Sequence, residues 1–108
     1  MITAIVRYKL PPHIDQAACR DHFHEIAPGF RHVKSLISKH FIWSEEGWAG
    51  GVYEWENLED AKSFYDGPWL EGIVDRYGTQ PQIEFFDVLA VTDNARGTVN
   101  LFTAPDEP

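Results

Sequence analysis

The sequence predicts an α+β domain built on a four-stranded antiparallel sheet, and three observations carry that prediction. Apolar spacing switches between the two-residue period of strands and the roughly 3.6-residue period of helices, in the order β-α-β-β-α-β. The chain has 108 residues, the size of one ordinary domain, which buries roughly two thirds of its unfolded surface around one core. Hydrophobic residues make up 44% and aromatics 14%, enough for that core with large side chains left over to line a cavity or an interface.

Each element is bounded by its own punctuation. Ile2 to Leu10 is β-branched and apolar and stops at Pro11-Pro12, which cannot donate to a strand ladder. From Ile14 the period becomes helical through Ala18, Phe23, Ile26 and Ala27, predicting a helix over about 13–27 that Pro28-Gly29 ends. Val33 to Trp43 and Trp48 to Trp55 flank the polar Ser44-Glu45-Glu46-Gly47 and read as a hairpin. Asn57 followed by Glu59 and Asp60 caps a second helix running to about Tyr65, and Trp69 to Tyr77 continues as a further helical segment beyond Gly67-Pro68. Ile83 to Val91 forms the last strand. Residues 1–94 are thus one domain, and 95–108 a tail in which Thr98 to Phe102 is apolar enough to pack, on its own chain or over a partner, whereas Ala104 to Pro108 reads as disordered.

A β-α-β-β-α-β order is the split-βαβ, ferredoxin-like arrangement, with both helices on one sheet face. The first and last strands do not offer the other face a polar side. Strand one carries Ile2, Ala4, Val6, Tyr8 and Leu10 on one side but Ile5 on the other, and strand four sets Ile83, Phe85 and Leu89 against Phe86, Val88 and Ala90. A sheet apolar on both faces buries the second against another copy, so a homodimer packed sheet to sheet is predicted.

Hairpin register decides which side chains meet under the helices. With Ser44 opposite Gly47, one face carries Leu36, Ser38, His40, Ile42, Gly51, Tyr53 and Trp55, and the other carries Lys39, Phe41, Trp43 and Glu54; a one-residue slip exchanges the two sets. The first face, assigned to the helix side, combines polar groups with the bare backbone of Gly51, which suits a small-molecule cavity. His40, Tyr53 and His22 are therefore the candidate catalytic residues, and Ser38, Gly51, Trp55, Tyr65 and Trp69 the candidate substrate contacts. Lys39 and Glu54 are expected as an ion pair at the dimer seam. The break Asp66-Gly67-Pro68 would let Tyr65 and Trp69 gate the cavity.

Several classes are excluded. Seventeen acidic against nine basic residues give a net charge of −8, a field that repels nucleic acid and anionic lipid. A lone cysteine, Cys19, rules out an intrachain disulfide framework, and no apolar run reaches the roughly 20 residues of a membrane span; a cytoplasmic protein is expected. No metal is expected either, because His22 and His24 diverge by about 200° on a helix and no HExxH or cysteine pair is present. Phosphate-cradling and nucleophile-elbow motifs are absent.

Taken together, PGF (28–30), ISKHF (37–41), AGGVYEW (49–55), EDAKSFY (59–65), RYG (76–78) and FFDVLAVTDN (85–94) strongly resemble the YdhR-like mono-oxygenases. These belong to the dimeric α+β barrel superfamily that includes antibiotic biosynthesis monooxygenases, and the likeness spans about residues 1–94. It implies a homodimer and, from characterised relatives, oxidation of small aromatic or polycyclic phenols to quinones by O₂ with no cofactor, between sheet and helices. The superfamily also holds His-based isomerases and dehydratases, and a non-catalytic dimer binding small hydrophobic ligands is the reading from another class. The site residues themselves come from the sheet face, not from the resemblance.

Overall fold

The computed structural model describes residues 1–103; the expected disorder of Ala104 to Pro108 lies outside them. Strand β1 (Ile2–Lys9) leads to helix α1 (Gln16–Ile26) and a 3₁₀ turn (Ala27–His32), then β2 (Leu36–Ser44), β3 (Trp48–Trp55), α2 (Leu58–Phe64), α3 (Pro68–Tyr77), β4 (Gln82–Asp87), β5 (Ala90–Asp93) and β6 (Thr98–Leu101). The main sheet runs β2-β3-β1-β4, with every neighbouring pair antiparallel. This is the ferredoxin-like α+β arrangement the sequence predicts.

Local chemistry sets the helix ends. The Asp15 carboxylate accepts from the Ala18 backbone N–H at 2.9 Å, and the Asn57 side chain accepts from that of Asp60 at 2.8 Å, each satisfying a donor the first helical turn leaves free. Pro68 opens α3, and Gly78, with φ of 71°, closes it, because a left-handed terminal residue favours glycine. Pro28-Gly29 ends the α-helix but not the coil: the chain tightens into the 3₁₀ turn, where proline's fixed φ is tolerated.

The core lies between the sheet and the helices. Ile2, Ala4, Val6, Tyr8 and Leu10 of β1 are all buried there, as are Ala49, Tyr53 and Trp55 of β3, Cys19 and Phe23 of α1, Ala61 and Tyr65 near α2, and Tyr77 of α3. Trp55 Nε1 donates to Tyr65 Oη at 3.0 Å, so the largest buried polar tip is paired.

Two expectations are corrected here. The hairpin turn holds three residues rather than two: Ser44 pairs with Trp48, Gly47 N–H donates to Ser44 C=O at 3.0 Å, and Gly47 takes φ of 89°. A three-residue hairpin ends on a left-handed glycine, and that added residue shifts the register by one. Lys39 therefore pairs with Tyr53, His40 with Val52 and Phe41 with Gly51. Ser38 and His40 point away from the helices, Lys39, Phe41 and Trp43 point toward them, and no Lys39–Glu54 seam pair forms. Glu54 instead accepts from Thr3 Oγ1 at 2.8 Å on the outer face. A bulge between Leu36 and Ser38 returns Leu36 to the helix side, where it packs against the core.

The last strand is also shorter than expected. Val88 N–H donates to Met1 C=O at 3.0 Å, just past the Ile2–Asp87 pair that closes the β1–β4 register. The chain leaves the sheet, and β5 pairs with β6 across a turn containing Gly97 at φ of 69°. Thr98–Leu101 thus folds back on its own chain, with Val99 and Leu101 still 64% and 80% exposed.

Candidate functional site

A cavity of about 260 Å³ lies between the helix-facing side of the sheet and helices α1 and α3. Its walls are Val6 and Tyr8 of β1, Lys39 of β2, Tyr53 of β3, Phe30 of the 3₁₀ turn, His22, Phe23 and Ile26 of α1, and Trp69, Ile73, Arg76 and Tyr77 of α3. Of the residues singled out from sequence, His22, Tyr53 and Trp69 meet here. Gly51 lies just behind: a Cβ on it would stand 2.8 Å from both Lys39 Cε and Tyr53 Cε1, so its missing side chain is filled by its neighbours rather than left as a void. Trp55 and Tyr65 are core residues behind the wall. Ser38 and His40 are excluded by the register, Ser38 lying along a separate open groove with Arg31 and Ile37.

Lys39 occupies the most unusual position. Its Nζ lies 3.8 Å from the ring centroid of Phe30, 3.9 Å from that of Phe41 and 4.5 Å from that of Tyr53, with no ion-pair partner among the described residues. Desolvation lowers its pKa from 10.5 to about 7, so a substantial share of the amine is unprotonated at neutral pH. Burial likewise lowers His22 below its usual 6.5; Arg76 and, more weakly, Lys39 push the same way, while Glu25 opposes them.

The phenols behave in the opposite sense. Burial raises Tyr8, Tyr53 and Tyr65 well above the ordinary tyrosine range, helped at Tyr8 by its hydrogen bond with Tyr77, whose ring stacks on it at 4.2 Å. Hydrogen bonds from Trp69 to Tyr53 and from Trp55 to Tyr65 pull back in part. At neutral pH the cavity therefore holds proton acceptors in Lys39 and His22, proton donors in Tyr8 and Tyr53, the cation of Arg76 and, among the described residues, no carboxylate along its wall. A second groove of about 350 Å³ between α1 and β2 is lined by Gln16, Arg20, His24 and Trp43; Cys19 at its base has its thiol pKa raised chiefly by burial, which lowers its thiolate share.

Lys39, Arg76, Tyr8 and Phe30 were missed by sequence reasoning. Gly47 bears on Lys39 and Phe41, since its left-handed place in a three-residue loop sets the register, but a glycine there fits a two-residue turn as well; nothing local marks Arg76 or Phe30 as cavity residues. Among the described residues no group of three or more His, Cys, Asp or Glu is arranged to hold a metal ion, and no helix is long and apolar enough to cross a membrane.

Comparison with known proteins gives a structural answer only. No protein-family profile matches the sequence, and no curated protein does. Among solved structures, a protein of unknown function from Nitrosomonas europaea superposes with a TM-score of 0.69 at 15% identity, over 84% of this chain and 91% of its own. A candidate antibiotic biosynthesis monooxygenase from Deinococcus radiodurans gives 0.65 at 13%, over 86% and 97%. An antibiotic biosynthesis monooxygenase gives 0.62 at 11%, over 82% and 98%. The chain thus shares its fold with solved structures described as antibiotic biosynthesis monooxygenases.

Proposed function

We propose that this protein is a mono-oxygenase that converts a small phenolic aromatic to a quinone with O₂ in the cavity between sheet and helices. The observation that carries this is the composition of that cavity: aromatic walls, two basic groups whose charge burial disfavours, and tyrosine donors. An electron-rich phenol passes an electron to O₂ far more readily once its hydroxyl proton is gone, and a dry cage keeps the resulting radical pair from water. Written without a cofactor, the reaction balances. The phenol gives up its hydroxyl proton and one ring hydrogen, one oxygen atom becomes the second carbonyl, and the other leaves as water.

The fold shared with antibiotic biosynthesis monooxygenase-like proteins and the YdhR-like sequence blocks support this reading, and the cavity volume, slightly below the roughly 300–1,000 Å³ of common ligand pockets, favours a compact ring system. Tyr53 is suited to donate a hydrogen bond to oxygen as charge develops on it, and Trp69 to stack on the substrate ring.

The test is oxygen uptake with polycyclic phenols such as naphthols, followed together with quinone absorbance. One O₂ consumed per quinone formed is expected, with Tyr53→Phe slower by roughly tenfold, the scale of one hydrogen bond to a charged group. His40→Ala, on the opposite sheet face, is expected to turn over within about twofold of the unaltered protein, since a surface position off the site has little hold on the barrier. Saturable phenol binding without oxygen uptake would return the cavity to a non-catalytic binding role.

A further inference from the structure

We propose that the cavity selects an aromatic ligand bearing an ionisable hydroxyl, and that the amine of Lys39 takes that hydroxyl's proton on binding and holds the resulting phenolate as an ammonium ion. The ligand class rests on the phenol-oxidising reading above; the role of Lys39 rests on geometry. In a chain of net charge −8, the cavity wall carries Lys39, Arg76 and His22 and, among the described residues, no carboxylate. Such a concentration of cationic and basic groups with no internal counterion leaves the negative partner to be supplied by the ligand.

Two groups compete for the proton, and their surroundings decide between them. An imidazolium at His22 would be disfavoured by burial, by Arg76 and more weakly by Lys39, against which Glu25 on the same helix pulls only in part, so that its charge is disfavoured on balance. An ammonium at Lys39 would face the rings of Phe30, Phe41 and Tyr53 at 3.8, 3.9 and 4.5 Å, whose negative π-faces attract a cation. The other ionisable groups lining its two cavities are Tyr8 on β1, Tyr53 on β3, Arg76 and Tyr77 on α3, and Arg31 on the 3₁₀ turn. None of these is an anion at neutral pH, so none competes with a phenolate for the ammonium. The transfer balances without a co-reactant: the O–H bond breaks, an N–H bond forms on the amine lone pair, and the electron pair left on oxygen makes the ligand the anion from which O₂ draws electrons.

The amine is held in place by β3. Because a Cβ at Gly51 would stand 2.8 Å from Lys39 Cε, the lysine stem lies across that bare backbone, which fixes the amine against the cage rather than leaving it to extend into solvent.

Meta-nitrophenol, a weaker acid than its para isomer, tests this without turnover, since its phenolate is strongly coloured and its neutral form is not. Under anaerobic conditions at a pH about one unit below the probe's own pKa, where roughly a tenth of the free probe is ionised and the pH still lies above the value of about 7 that burial gives Lys39, so that the amine is mostly free, binding to the unaltered protein is expected to raise the coloured fraction several-fold toward full ionisation. Lys39→Met is expected to bind the probe colourless, and Lys39→Arg to restore the phenolate. In protein labelled with ¹³C-lysine, the Lys39 ε-carbon signal is expected to move to its ammonium position with nitrophenol and not with nitrobenzene, a readout that needs no variant. Colourless binding to the unaltered protein, an unchanged coloured fraction in Lys39→Met, an unmoved ε-carbon, or no binding at millimolar probe would each overturn the proposal. Ionisation of the probe with no oxygen uptake from any phenol would instead overturn the oxidase reading and leave the role of Lys39 standing.

Discussion

Lys39 and His40 are adjacent in sequence and opposite in environment. His40 has the side chain usually associated with acid–base chemistry, but it stands on the outer face of β2 opposite Val52. Lys39 would ordinarily be a permanently charged surface residue, and burial among three rings changes its protonation. That change has a consequence for stability. The folded-state pKa of about 7 lies below the ordinary 10.5, so between those values the unfolded chain binds more protons than the folded one, and stability rises with pH across that window. The cost of burying the ammonium is full below about pH 7 and fades as the amine deprotonates. Cys19, raised from 9.0, and the raised tyrosines act in the opposite direction from about pH 9 upward, since the unfolded chain then loses those protons first. The clean interval is therefore about pH 7 to 9. Urea denaturation there is expected to show the unaltered protein gaining stability with pH while Lys39→Met does not, with the variant the more stable of the two at pH 6. Parallel pH profiles for both proteins would mean that Lys39 keeps its proton in the fold.

At the scale of elements, the β2–β3 hairpin governs the site. Both strands and their alternation were legible in the sequence, β3 to the residue, because apolar and polar positions alternate up to a polar turn. Whether that turn holds two residues or three was not legible from pattern alone, since glycine at its end fits both and each register buries aromatic residues. Closure of β3 on β1 decides it: Ile2, Ala4, Val6 and Tyr8 lie beside Trp55, Tyr53, Gly51 and Ala49, which commits that side of β3 to the core, and β2 follows through the loop that Gly47 allows. Gly47→Ala is expected to destabilise the fold by roughly 1–2 kcal/mol, the cost of a left-handed L-residue, lowering Tm by about 4–8 °C per kcal/mol. Gly29→Ala, with no atom within 4 Å of its Cβ, is expected to leave Tm unchanged or slightly higher. Equal Tm values for the two variants would remove the left-handed turn as the determinant of register.

For the whole molecule, the outer sheet face remains to be covered. Ile42 and Phe86 are exposed there, with Ile5 and Val52 between them in the ladder, and the β5–β6 arm exposes Leu89, Val99 and Leu101 beyond the sheet edge. We propose that this face packs against a second copy through these apolar side chains, which stand among Thr3, Arg7, His40, Glu54 and Glu84 in a seam of mixed polarity. Sedimentation equilibrium at micromolar concentration is expected to give twice the chain mass, and Phe86→Glu to return the single-chain mass; a single-chain mass for the unaltered protein would sink the proposal. The sequence by itself determined the α+β class, the order of the main-sheet strands and their helices, the Asn57 cap and the core side of β1, because periodicity, capping and turn chemistry act over a few neighbouring residues. Only the tertiary structure decided the face of β2, the early end of β4 and the cavity that joins Lys39 to His22, Tyr53 and Arg76. Those depend on strand pairing and helix packing between residues far apart in the chain, where a shift of one residue reverses a face without changing any local pattern.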